Sequence, residues 1–175
     1  NAIDAVVAAA LAVGVVQPAG SGLGGGGFAV VVMPGGERHV LDFREAAPAA
    51  ATADMYVKAS SVDASRIGGL AVGIPGEPAG LISLHERWGK LSLQRVADPA
   101  IKLARDGFVV EAHLAKALKN AGIAGPALAY GLFGEAEIPV RGTHVKRARL
   151  AATNRSRCCW RTRASRQRCH HSSAK

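Results

Sequence analysis

Arg44 is the residue whose type and setting most invite chemistry. It sits in the run Val40-Leu41-Asp42-Phe43-Arg44-Glu45. In a strand, period-two alternation puts Leu41 and Phe43 on one face and Asp42 and Arg44 on the other. A guanidinium leaving such a strand can fork onto a carboxylate through two parallel hydrogen bonds. Spacing alone leaves two uses open. One is capture of a carboxylate from outside the chain; the other, common in structural ion pairs, is pairing with Asp42 or Glu45.

The glycine-rich run Gly20-Ser21-Gly22-Leu23-Gly24-Gly25-Gly26-Gly27 offers a second candidate. Its first six residues satisfy G-x-G-x-x-G, and Glu45 lies at about the distance of the acid that would read a ribose. A dinucleotide site needs strand, then loop, then helix, so that the pyrophosphate meets the helix N-terminus. Here the order is helix, loop, strand, and the context for a nucleotide is missing. These glycines are read instead as giving the backbone freedom and close approach where a helix turns into a buried strand. His85 has no cluster of partner ligands and reads as a packed or solvent-edge histidine. No residue is assigned as a nucleophile or a metal ligand, and no motif calls for a cofactor.

The elements that must position Arg44 follow from local signals. Asn1 can cap a helix over Ala2–Val16, apolar all round except Asp4 and so expected to be buried on most sides. Gln17-Pro18 ends it. Phe28–Met33 is apolar on both alternating faces, the pattern of a strand covered on both sides. Pro34-Gly35-Gly36-Glu37 turns it into the return strand that carries Arg44. Glu45–Asp63 reads as an irregular surface connection, and Gly68–Gly76 as a second glycine-punctuated turn. A helix then runs from Glu77, with Pro78 in its first turn, to Trp88, stopped by Gly89. Leu81, Leu84 and Trp88 form its core stripe. Leu91–Asp106 continues as helix, with a break or kink expected near Asp98 from Pro99 and a cap at Gly107. Glu111–Asn120 is a third amphipathic helix with Gly122 beyond it, and Val145–Thr153 looks like the start of another.

Length and charge bound what remains. The chain has 175 residues and 49% apolar content, enough for one domain with a core. Residues 1–140 carry 11 basic and 13 acidic side chains, whereas residues 141–175 carry 11 basic and none acidic. The body therefore gives no electrostatic case for binding nucleic acid. Three readings of the segment 154–175 are open. It could be a basic arm that meets phosphates. It could be a metal site, but Cys158-Cys159 and Cys169-His170-His171 lack zinc-ligand spacing. Its composition also fits a GC-rich gene read out of frame, the reading preferred here. The body has no cysteine and needs no disulfide, so the redox compartment is undetermined. Ile3–Val16 is shorter than the ~20 residues that span a bilayer. Asp4 and the lack of preceding basic residues argue against a secretion signal. The chain begins without methionine, which leads us to expect that it is part of a longer protein.

Five segments resemble, in order and approximate spacing, the start of a γ-glutamyltransferase large subunit. They are Asn1-Ala2-Ile3-Asp4-Ala5, Ser21–Phe28, Leu41-Asp42-Phe43-Arg44-Glu45-Ala46-Ala47-Pro48, Gly73-Ile74-Pro75-Gly76-Glu77 and Pro99–Phe108. The resemblance covers Asn1 to about Thr153 and sets apart 154–175 as a tail. It implies an α+β chain, part of the four-layer αββα sandwich of N-terminal-nucleophile hydrolases. It also implies a precursor that cleaves itself into large and small subunits. The small subunit's new N-terminal threonine would attack the γ-glutamyl carbonyl of glutathione or a related amide. The acyl group would then pass to water, an amino acid or a peptide. By resemblance, Arg44 binds the substrate's α-carboxylate, no cofactor is needed, and the location is periplasmic or extracellular. The nucleophile is expected to lie outside this chain, which would then be inactive alone. A cephalosporin or glutaryl acylase shares the fold and stays open as an alternative. So does a non-catalytic remnant with a nucleic-acid-binding tail.

Overall fold

The structure, a computed structural model, describes residues 1–121 and 125–155. Gly122, expected just beyond the third helix, and the segment 156–175, with its three cysteines, lie outside the described residues.

Helix α1 spans Ala2–Val16, capped as its sequence suggests: the Asn1 side chain accepts from the Asp4 amide and Asp4 reaches back to Asn1. Its burial departs from expectation. Asp4, Val7, Leu11, Gly14 and Val15 are buried, a helical stripe, while Val6 and Val13 face water. Neighbouring helices cover only one side. The sequence reading gave Asp4 no structural role, yet it ties α1 to the chain 86 residues on. Its carboxylate accepts from the amides of Lys90 and Leu91 at 3.1–3.4 Å. Burial pushes this carboxyl up, but those amides and the terminal ammonium together hold it below its ordinary value.

Strands β1 (Phe28–Val32) and β2 (Arg38–Asp42) form an antiparallel hairpin with Val30 opposite Val40. Val31 and Leu41 point into the core, whereas Phe28, Val30, Val32 and Val40 are each more than half exposed. The expectation of a strand covered on both faces therefore fails for the described residues. Apolar composition marks a strand that can be buried twice, and only one side meets a neighbour here. On the covered side the ring of Phe43 lies on Gly80, and His39 meets Trp88 with ring centroids 4.9 Å apart.

Residues 45–76 are irregular, apart from a bridge between Ala46 and Ile74 and a tight turn at Gly69–Ala71. Helix α2 is Glu77–Trp88 and helix α3 is Leu93–Asp106, the latter capped by Ser92. Pro99 lies inside α3 without dividing it, so of the expected break or kink the break does not occur. A proline at this position deprives the Arg95 carbonyl of its helical donor. Both residues are exposed, so water can satisfy that carbonyl. Beyond Gly107 the chain enters β3 (Phe108–Val109), which pairs with β4 (His144–Val145), and Val145 is thus strand rather than helix. Helix α4 (Ala112–Asn120) buries Leu114 and Leu118 as expected. Helices α5 (Gly125–Phe133) and α6 (Ala148–Arg155) complete the description. One core runs through Val7, Leu11 and Val15 of α1, Leu81 and Leu84 of α2, and Val96, Ala100, Ile101 and Ala104 of α3. Alanines 100 and 104 are fully buried, which lets helix backbones approach closely. The α+β class expected from the sequence is the one observed.

Candidate functional site

Arg44 lies two residues beyond the end of β2, not within it. The pairing continues weakly through Phe43, whose amide donates to the Gly27 carbonyl at 2.9 Å. The Asp42 carboxylate then accepts the backbone N–H of Arg44 at 3.0 Å, a turn in which an aspartate bonds the amide two residues on. Asp42 is thus engaged with the Arg44 backbone rather than its guanidinium. Among the described residues, no carboxylate stands within ion-pairing distance of that guanidinium. The side chain is exposed.

The backbone that carries Arg44 runs through a slot walled by glycine. A Cβ at Gly26 would stand 2.5 Å from the Phe43 carbonyl oxygen and 2.8 Å from the Glu45 nitrogen. A Cβ at Gly76, on the other wall, would overlap the same Phe43 oxygen, and one at Gly80 would overlap the Phe43 ring. Gly73 stands against the Glu45 side chain, where a Cβ would come within 3.1 Å. The two walls are bonded to each other, for the amides of Gly76 and Glu77 both donate to the Gly25 carbonyl, at 2.9 and 2.8 Å. Past the slot, Ala46 and Ile74 exchange backbone hydrogen bonds of 3.2 and 2.8 Å. Only glycine lets three backbone segments come this close. Arg44 therefore projects from a chain gripped on both sides, while its head group is free to meet solvent.

Two further residues hold the slot in place, and neither was singled out from the sequence. Glu77 is 6% exposed. Its carboxylate accepts from the Gly22 amide at 3.2 Å and the Ser21 hydroxyl at 3.4 Å. Burial pushes the Glu77 carboxyl above its ordinary value; the Gly22 and Ser21 donors pull it down, and the Glu45 charge pushes it up. An acid beside a proline at a helix start reads as an ordinary first-turn residue, and the motif ending at Glu77 says nothing of what its carboxylate bonds. Arg147 donates through Nη1 to the carbonyls of Gly14 and Val15, at 2.6 and 3.0 Å. It closes the C-terminus of α1, where a cation also complements the helix dipole. Gly14 in turn packs on Gly22, where a Cβ would come within 3.0 Å of the Gly22 Cα.

The glycine loop follows a helix and precedes a strand, the order that excludes the dinucleotide motif. The His85 Nε2 lies 2.8 Å from the Leu91 carbonyl and 3.9 Å from Asp4, a packed histidine. Among the described residues, no helix is long and apolar enough to cross a membrane.

Comparison with known proteins points to one family. The family described as gamma-glutamyltranspeptidase matches residues 1–156. Glutathione hydrolase 3 of Arabidopsis thaliana is 48% identical over 121 residues, covering 69% of this chain and 19% of its own length. The glutathione hydrolase proenzyme of Escherichia coli K12 is 42% identical over 125 residues, covering 70% and 22%. The chain thus spans about a fifth of the length of these curated relatives. Among solved structures, the Helicobacter pylori gamma-glutamyltranspeptidase matches with a TM-score of 0.79 and 36% identity, over 88% of this chain and 46% of that one. The cephalosporin acylase from Bacillus halodurans matches with a TM-score of 0.73 and 29% identity, over 89% and 31%. With the family pattern running through 1–156 and the same fold in solved members, the chain belongs to the γ-glutamyltranspeptidase family.

Proposed function

We propose that this chain forms the part of a γ-glutamyl-transferring enzyme that grips the α-carboxylate of the donor, glutathione or a related γ-glutamyl amide. Arg44 supplies the grip. The observation that carries the reading is an exposed guanidinium with no ion-pair partner among the described residues, on a backbone held between two glycine walls. A fork fixed at its base loses less freedom when it closes on a carboxylate. The nucleophile would come from a small subunit of the same precursor, as a threonine that attacks the γ-carbonyl. Transfer to water or to an amine would follow. An acylase for other amides is the second reading. The curated relatives, glutathione hydrolases at 48% and 42% identity, support the γ-glutamyl donor over the acylase, whose structure is 29% identical.

The test replaces the matched stretch of the Escherichia coli glutathione hydrolase proenzyme with the corresponding residues of this chain. Hydrolysis of a γ-glutamyl anilide is then followed. The expected result is activity with the native insert. Arg44→Ala should lower kcat/KM by ~30-fold, mainly through KM, because truncating one partner of a charge pair costs about 2 kcal/mol or more. Arg44→Lys should recover only part of it, since an ammonium cannot fork. An Arg44→Ala insert as active as the native one would overturn the proposal.

A further inference from the structure

We propose that Glu77 is a positioning residue for Arg44: its ionised carboxylate fastens the Gly22–Gly25 turn and so sets the slot through which Phe43-Arg44-Glu45 passes. The effect on substrate rests on the reading of Arg44 given above. The mechanical coupling does not.

Glu77 holds both ends of that turn. Its carboxylate takes the Gly22 amide and its own amide gives to the Gly25 carbonyl, while the Gly25 amide closes the turn on the Gly22 carbonyl at 2.8 Å. Gly26, the next residue, walls the Arg44 segment, with a Cβ position 2.9 Å from the Arg44 carbonyl carbon. A shift of the turn must therefore move that wall or the chain beside it. The charge is poorly compensated. From α1 the facing residues are Leu11 and Gly14, from the loop Ser21, Gly22 and Leu23, and from α6 Leu150. Arg147 donates through Nη1 to the Gly14 and Val15 carbonyls and makes no ion pair with Glu77. The titratable group that acts on Glu77 is Glu45, another acid. A buried carboxylate with two long hydrogen bonds and no cation partner among the described residues is a costly brace. A neutral carboxyl would accept the Gly22 amide more weakly, because charge strengthens such bonds.

The linkage has a definite sign. A carboxyl whose folded value lies above its unfolded one binds more protons in the native state. Its contribution to stability therefore falls as pH rises from the unfolded value of about 4.5 through the raised folded value. The brace is thus firmest where it costs the fold most.

The test is a pH titration of the 175-residue chain by ¹H–¹⁵N spectroscopy. It follows the Gly22 and Gly25 amides, the Phe43 amide and the Arg44 Nε–H. The Arg44 amide is left out because it donates to Asp42 and not to the turn. The four signals are expected to move together, with a midpoint above that of exposed glutamates. Ser21→Ala should raise the midpoint by removing a donor to the charged form. Glu77→Gln should abolish the shared transition, melt no lower than the native chain at neutral pH, and weaken L-glutamate binding by ~3–10-fold. Signals from Phe43 and the Arg44 Nε–H that stay flat, or that titrate unchanged in Glu77→Gln, would overturn the proposal. Should Glu77→Gln fail to fold, the native and Ser21→Ala titrations decide it alone. If Arg44→Ala leaves L-glutamate binding unchanged, the reading of Arg44 fails, and the shared midpoint still judges Glu77.

Discussion

Gly76→Ala is expected to destabilise the chain by about 3 kcal/mol or more, at the upper end of what overpacking costs. The added methyl would overlap the Phe43 carbonyl oxygen, and that oxygen belongs to backbone, which cannot swing aside as a side chain can. Retreat is blocked because Gly26 closes the far side, where a Cβ would already stand 2.5 Å from the same oxygen. Nor can the Gly76 segment back away without losing its 2.9 Å bond to the Gly25 carbonyl. Urea denaturation followed by circular dichroism checks the value, and a thermal melt should show a fall in Tm of roughly 10 °C for a chain of this size. Gly24→Ala is the control, because a methyl there meets nothing within 4 Å. A Gly76→Ala chain as stable as that control would show that the slot is looser than its walls imply.

Gly107→Ala is expected to cost a similar ~3 kcal/mol for a different reason. Gly107 caps α3 with φ 101° and ψ 173°, a conformation that L-residues scarcely adopt. A Cβ would also overlap the His144 ring and lie 2.7 Å from the Val145 carbonyl oxygen. His144 can turn away; the Val145 backbone, paired with Phe108 across β3 and β4, cannot. Most of the loss should therefore persist in Gly107→Ala combined with His144→Ala, as denaturation of the single and double variants would show. Full recovery in the double variant would instead place the whole cost on the imidazole.

The two cases mark what local sequence can and cannot convey. The bounds of α1 and α2 were legible because their signals are local: Asn1 before the first turn, Pro18 after the last, Pro78 just inside and Gly89 just outside. Arg44 stood out by its type and by the residues beside it, although alternation placed it in a strand that ends at Asp42. Its surroundings in space were not legible. The slot joins three segments, and the bond from Gly22 to Glu77 spans 55 residues, beyond the reach of any periodicity. The break read from Pro99 is absent for a related reason. Whether it breaks a helix depends on what the orphaned Arg95 carbonyl faces, and that is settled by packing. Strands β3 and β4 have two residues each, too few for alternation to register. The even apolar run of α1 promised burial on most sides, but that needs neighbours on most sides, and only one stripe has them.

The bare side of the β1–β2 hairpin has a thermal consequence. Phe28, Val30, Val32 and Val40 lie together on one water-facing sheet surface. Attraction between such surfaces is driven near room temperature by the release of ordered water, and it weakens on cooling. Solutions of this chain should therefore clear when chilled and cloud when warmed, below any temperature at which its helices melt.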